Sequence, residues 1–213
     1  MNNNIYLIDE MFLKLYPDGL QDISFIEASK RHKVNNRILK KVEAFDIERL
    51  MEQYPPTVAD NIQFITKLLT SCSMVSVFEK VAFKNYIADK KLQEDFLTSL
   101  YEMLNELNED SFNNFVRVLS LKKADSKTNV AKWPIITFFL SFFNPKAEVF
   151  IKPTTMKKVA QLLEYDIKYS PTLNYQTYTL ARDMVMQYKQ ISKICQDEIN
   201  MYVQAIMYTV LGI

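Results

Sequence analysis

A chain of 213 residues with 48% hydrophobic and 24% charged residues can bury a core without disulfide or metal support, and it is not composed like a disordered segment. Its formal net charge of +1 excludes a protein that is basic throughout, so an electrostatic partner must be met by a local patch. Two glycines, where ordinary usage of roughly 7% would supply about fifteen, exclude a Walker loop, a dinucleotide-binding fingerprint and a glycine-flanked nucleophile elbow.

The same scarcity predicts an all-α chain, because tight hairpins depend on left-handed turn residues that helices do not need. We expect a multi-helix bundle over residues 1–213, read as one unit. Two helical lobes, 1–121 and 133–213, would be joined by the polar connector 122–132, and at most one very short strand is expected.

Helical spacing begins with Ile8, Met11, Phe12 and Leu15 and stops at "YPDG". Ser24 and Glu27 have capping-box spacing. The helix behind them carries Val34, Ile38, Val42 and Phe45 on one face and Lys30, Lys33, Arg37 and Lys40 on another. A shorter helix ends before Pro55-Pro56, a pair that no helix interior accepts. Further helices are expected over roughly 58–69, 75–88, 92–107 and 111–119, with Asp89 and Asp110 as N-caps.

From Asp89 to Leu121 seven acids stand against three bases, whereas from Lys122 to Lys168 nine lysines stand against four acids. Within the basic stretch, Ile135 to Phe143 is apolar on all faces and predicts a helix buried on every side. Pro134 suits its first turn, and Asn144-Pro145 ends it. "AEVFIKP" is strand-like or an extended connection. Thr154 or Thr155 would cap the next helix, and two long helices, 175–191 and 196–211, would close the fold.

Most chemistries find no footing. Cys72 and Cys195 form no CxxC pair and read as buried free thiols. His32, the one histidine, lies among cations in "SKRHKV" and reads as a surface residue with no nucleophile or orienting acid near it. The adjacent carboxylates Glu94-Asp95, Glu109-Asp110 and Asp197-Glu198 point to different helix faces and make no metal clamp. We therefore expect no catalytic residues, no metal site and no cofactor. The start lacks a signal-peptide pattern, and the longest apolar run is half a bilayer span, so a cytoplasmic protein without membrane contact is expected.

Residues 154–183 have the outline of a helix-turn-helix, with Val159, Ala160 and Leu163 on the first helix and a second starting at Asn174. The alternative is a plain packed hairpin.

Trp133-Pro134, Phe150-Ile151-Lys152-Pro153-Thr154-Thr155, Lys157-Lys158, Ala160 and "YDIKYSPTLNYQTY" resemble a family of uncharacterised bacterial proteins of about this length. That family shows a KWP motif followed by FLKPTxTKKAAE, GFDLxY, PNWxTY and a terminal DVQSFIW-like segment. "FLKLYPDGLQDISFIEASKRHKV" and "SVFEKVAF" extend the resemblance over nearly the whole chain. Glu164 replaces a family glycine, which implies that the turn after Leu163 does not need a left-handed residue. Tyr175 replaces a tryptophan, and "YVQAIMY" replaces the terminal motif. The resemblance implies no activity; similar terminal segments accompany restriction-like and other defence proteins.

Three functions remain open. The first is a non-catalytic protein-interaction module, its groove near Met184, Met201 and Met207. The second is a nucleic-acid-backbone binder using Lys30, Lys33, Arg37, Lys40, Lys152, Lys157 and Lys158 as point charges, in keeping with a lysine-rich basic set. The third is an enzyme of unfamiliar design. Neither the partner nor the oligomeric state is written in the residues.

Overall fold

A computed structural model describes residues 4–28, 32–121 and 129–212. Among them the chain forms eleven α-helices and no β-strand. None is long and apolar enough to cross a membrane. In order they are α1 (Asn4–Leu15), α2 (Ile23–Ala28), α3 (His32–Glu43), α4 (Pro55–Ser71), α5 (Val77–Ile87), α6 (Lys90–Asn105), α7 (Glu109–Ser120), α8 (Trp133–Phe143), α9 (Pro153–Leu162), α10 (Tyr175–Ile191) and α11 (Asn200–Thr209). Short 3-10 helices at Gly19–Gln21 and Ile47–Met51 link the first elements.

Helix α8 is the hub. Every residue from Trp133 to Phe142 is buried. Phe139 meets Phe83, Phe96 and Phe115 with ring centroids 6.1, 5.8 and 5.8 Å away. Burying each such ring contributes on the order of 1.5–3 kcal/mol. Around α8 pack α3 and α6, while α10 rests on α1, α7, α9 and α11. Helices from both sides of residues 122–132 therefore share neighbours. Of that connector, residues 122–128 lie outside the described part.

"AEVFI" is an extended connection rather than a strand, and side chains hydrogen-bond its backbone. Gln204 accepts from the Phe150 N–H at 3.0 Å through Oε1 and donates to the Phe150 carbonyl at 2.7 Å through Nε2. Thr137 Oγ1 accepts from the Ile151 N–H at 2.9 Å, and Asn200 Nδ2 donates to the Glu148 carbonyl at 3.2 Å. Buried backbone groups must find partners, and here α8 and α11 supply them.

Several expected helix starts move. Asp22, not Ser24, caps α2, its Oδ1 accepting from the Ser24 and Phe25 N–H groups at 2.8 and 3.4 Å. Pro55-Pro56 opens α4 at its first two positions, where the missing N–H groups cost nothing. Capping boxes sit at Ser76 with Glu79 and at Asn108 with Ser111. Asp89 caps α6 as expected, but Asn108 caps α7 in place of Asp110. Helix α9 begins at Pro153 behind Lys152, so neither Thr154 nor Thr155 is its cap.

The turn after Leu163 corrects a second expectation. Glu164 does take a left-handed φ of 51°. Its N–H donates to the Gln161 carbonyl at 3.2 Å, and that of Tyr165 donates to the Ala160 carbonyl at 2.8 Å. This pair of bonds is a Schellman closure, which favours glycine at the residue that glutamate occupies here.

Candidate nucleic-acid interface

The basic face of α3 leads into an open concavity of about 590 Å³ between the end of that helix and α4. Its cations come from three elements. Lys41 lies on the last turn of α3, Arg49 on the following 3-10 helix, and Lys67 on α4. All three are exposed, and none has an ion-pair partner among the described residues. Asp60 is the one acid in the lining. On α4, Asp60, Phe64 and Lys67 follow at intervals of four and three residues and so share one face.

The aromatic part of the lining is Phe45 and Phe64, stacked with centroids 4.5 Å apart and planes 13° from parallel. Phe143 at the end of α8 meets Phe45 edge-on at 6.3 Å, so the buried hub braces the stack. Asn61 Nδ2 donates to the Arg49 carbonyl at 2.6 Å, tying the 3-10 helix to α4. Asn35, buried on α3, accepts from the Ser73 N–H and Oγ at 3.4 and 3.2 Å just past the other end of α4. These bonds hold the two walls in register.

Of the basic residues picked out by sequence, Arg37 and Lys40 are exposed on α3. They extend the charge of Lys41 away from the concavity. Lys33 lies on α3, but its side chain is outside the described part, as is Lys30 altogether. Lys152, Lys157 and Lys158 form a second exposed group on and before α9. Lys157 Nζ sits 4.9 Å from the centre of the Tyr169 ring. Helix α9 packs on α10 and α11, whereas α3 reaches α11 through the Asn36–Tyr202 hydrogen bonds. Sequence reasoning missed Lys41, Arg49 and Lys67 as a set, because contact between α3 and α4 creates their proximity.

The helix-turn-helix outline does not hold. Leu163 to Asn174 is too long a connection for that motif's turn. The start of α10 also faces inward: Thr177 is buried, and Tyr175 donates to the Leu107 carbonyl at 3.3 Å. The methionine groove fails as well, since Met184, Met201 and Met207 are core residues.

Two polar clusters elsewhere are satisfied internally. Glu148 is buried, accepting from Tyr178 Oη at 2.5 Å and from Arg182 at 3.3 Å. Burial and then the Glu148 charge hold the Tyr178 phenol well above its ordinary range. Near the start of the chain, Asp9 accepts from Tyr188 Oη and Ser192 Oγ at 2.7 and 2.8 Å, with Cys195 buried beside them. Burial raises the Cys195 thiol, the wrong direction for a nucleophile. Among the described residues no group of acids, cysteines and histidines could hold a metal ion. Comparison with family models, with curated proteins and with solved structures gives no match.

Proposed function

We propose that the protein binds the phosphate backbone of nucleic acid through the basic face of α3 and the concavity beside it. The observation that carries this reading is the convergence of Lys41, Arg49 and Lys67, from three separate elements, on one hollow with no ion-pair partner among the described residues. Cations left unpaired around a concavity focus the local field and attract a polyanion. Arg37 and Lys40 prolong the track along α3.

The test is a fluorescence-anisotropy titration of labelled DNA and RNA at about 50 and 200 mM salt. Five phosphate contacts on a duplex, one for each of these cations, predict roughly a five-hundredfold loss of affinity over that range. Arg49→Glu or Lys67→Glu should remove most of the binding at the lower salt while leaving the thermal midpoint unchanged. Salt-independent binding, or binding indifferent to both variants, would end the reading.

A protein-docking role has its own support, at a different place from the methionines. The first turns of α5 expose Val77, Phe78 and Val81 to 71%, 86% and 51%. A stripe at this spacing, solvated on one side of a helix, is the form that partner recognition takes. Phe78→Ser should leave folding and nucleic-acid binding intact and release a co-purifying protein. Unchanged retention would set docking at α5 aside.

A further inference from the structure

The concavity holds more than charge. Asn61 lines it and is 1% exposed. Its Nδ2 is committed to the Arg49 carbonyl, while its Oδ1 accepts no hydrogen bond from any described residue. That oxygen reaches the surface of the hollow, since Thr66 Oγ1 is the one side-chain polar atom among the described residues that is buried without a partner, and water or a ligand can meet it there. Beside it on α4, Asp60 is exposed and has no ion-pair partner among the described residues. Phe45 and Phe64, stacked and half-buried, supply apolar surface in the same lining.

Acceptors, apolar ring surface and surrounding cations are the three parts a nucleotide needs: one for base donors, one for the base plane and one for phosphates. A paired duplex cannot offer a base face to the rings here, because its bases are stacked on each other, and it shows its amino groups only along the floor of a groove. The volume of about 590 Å³ lies within the roughly 300–1,000 Å³ of small-molecule sites.

The geometry points to one unpaired base of a single-stranded nucleic acid as the occupant of this concavity. It lies against the Phe45–Phe64 pair and donates an exocyclic amino group to Asn61 Oδ1 and Asp60, with its flanking phosphates on Lys41, Arg49 and Lys67. This rests on the backbone-binding reading and adds what that reading does not require, a preference for unpaired strands and for amino-bearing bases.

The experiment titrates the protein with fluorescein-labelled 12-mers at about 50 mM salt: oligo(A) and oligo(U), oligo(dA) and oligo(dT), and a mixed DNA duplex. The expected result is adenine strands at least about tenfold tighter than both the duplex and the uracil or thymine strands, by analogy with stacking platforms. The RNA and DNA arms tell which sugar is taken. Phe64→Leu should lower single-strand affinity about tenfold and leave duplex affinity unchanged.

Asp60→Ala separates base recognition from charge alone. Removing an acid from a basic site raises affinity for every strand equally if only electrostatics acts. If Asp60 receives a base amino group, uracil strands gain while adenine strands do not, and the preference collapses. Equal binding of strands and duplex, with a uniform response to Asp60→Ala, overturns the base site and leaves backbone binding standing. No binding by any oligonucleotide overturns both.

Discussion

The corner around Glu148 and the hollow around Asn61 each set charged groups beside aromatic rings, and they resolve the charge in opposite ways. At the corner, Tyr178 and Arg182 satisfy the carboxylate, and Gln204, Asn200 and Thr137 satisfy the backbone next to it. In the hollow, three cations and the Asn61 amide oxygen have no partner among the described residues. A polar network whose members are all paired specifies one packing. A set that the chain leaves unpaired is available to something else. Position in the fold separates the paired set from the open one here, because the residue types are much alike.

The largest expected break is alkaline. Burial first, with neighbouring acids adding to it, holds Tyr86, Tyr178 and Tyr188 above their ordinary range. Unfolded tyrosine titrates near pH 10. Because the folded values are raised, their stabilising contribution is complete below that pH. It falls as the pH rises further, since the unfolded chain releases protons that the fold retains. Absorbance at 295 nm should report tyrosine ionisation in one step with the loss of helix by circular dichroism; stepwise ionisation with helix retained would contradict it.

Next in size is Glu148→Ala, which strands Tyr178 and Arg182. Breaking a buried pair costs about 3–5 kcal/mol, and the 27% exposure of the Arg182 side chain favours the low end. Urea unfolding measures it. Gln204→Leu strands both polar groups of Phe150 and should cost about 2 kcal/mol in the same assay. Glu164→Gly should stabilise by roughly 0.5–1 kcal/mol, the relief of a left-handed glutamate less the added freedom of glycine in the unfolded chain. Lys67→Ala is the smallest, within about 0.5 kcal/mol of the parent. If Lys67→Ala cost as much as Glu148→Ala, the contrast between the two regions would be lost.

How much of this was legible depends on the range of the interaction concerned. The bounds of α10 and the all-round burial of α8 could be read because each is set by a run of neighbouring residues. Caps were harder. Asp22 and Ser24, or Asn108 and Asp110, are all competent oxygen acceptors within two positions of each other, and backbone geometry chooses between them. Met184, Met201 and Met207 lie on apolar helix faces that look alike in sequence whether they line a groove or a core. Arg37 and Lys40 were visible as one helix face, but Arg49 and Lys67 join Lys41 only when α3 and α4 meet. Glu164 hid its left-handed turn because glutamate gives no local sign of it.

The side-chain clasp on residues 148–151 has a consequence for failure as well as for folding. Val149, Phe150 and Ile151 are apolar and β-favouring, and they have no neighbouring strand; α11 holds them through Gln204 and Asn200. Should α11 detach, the freed segment would present bare N–H and C=O groups along an apolar ribbon, a template on which a second chain can pair. Weakening the hold of α11 on this segment is therefore expected to promote aggregation in concentrated solution.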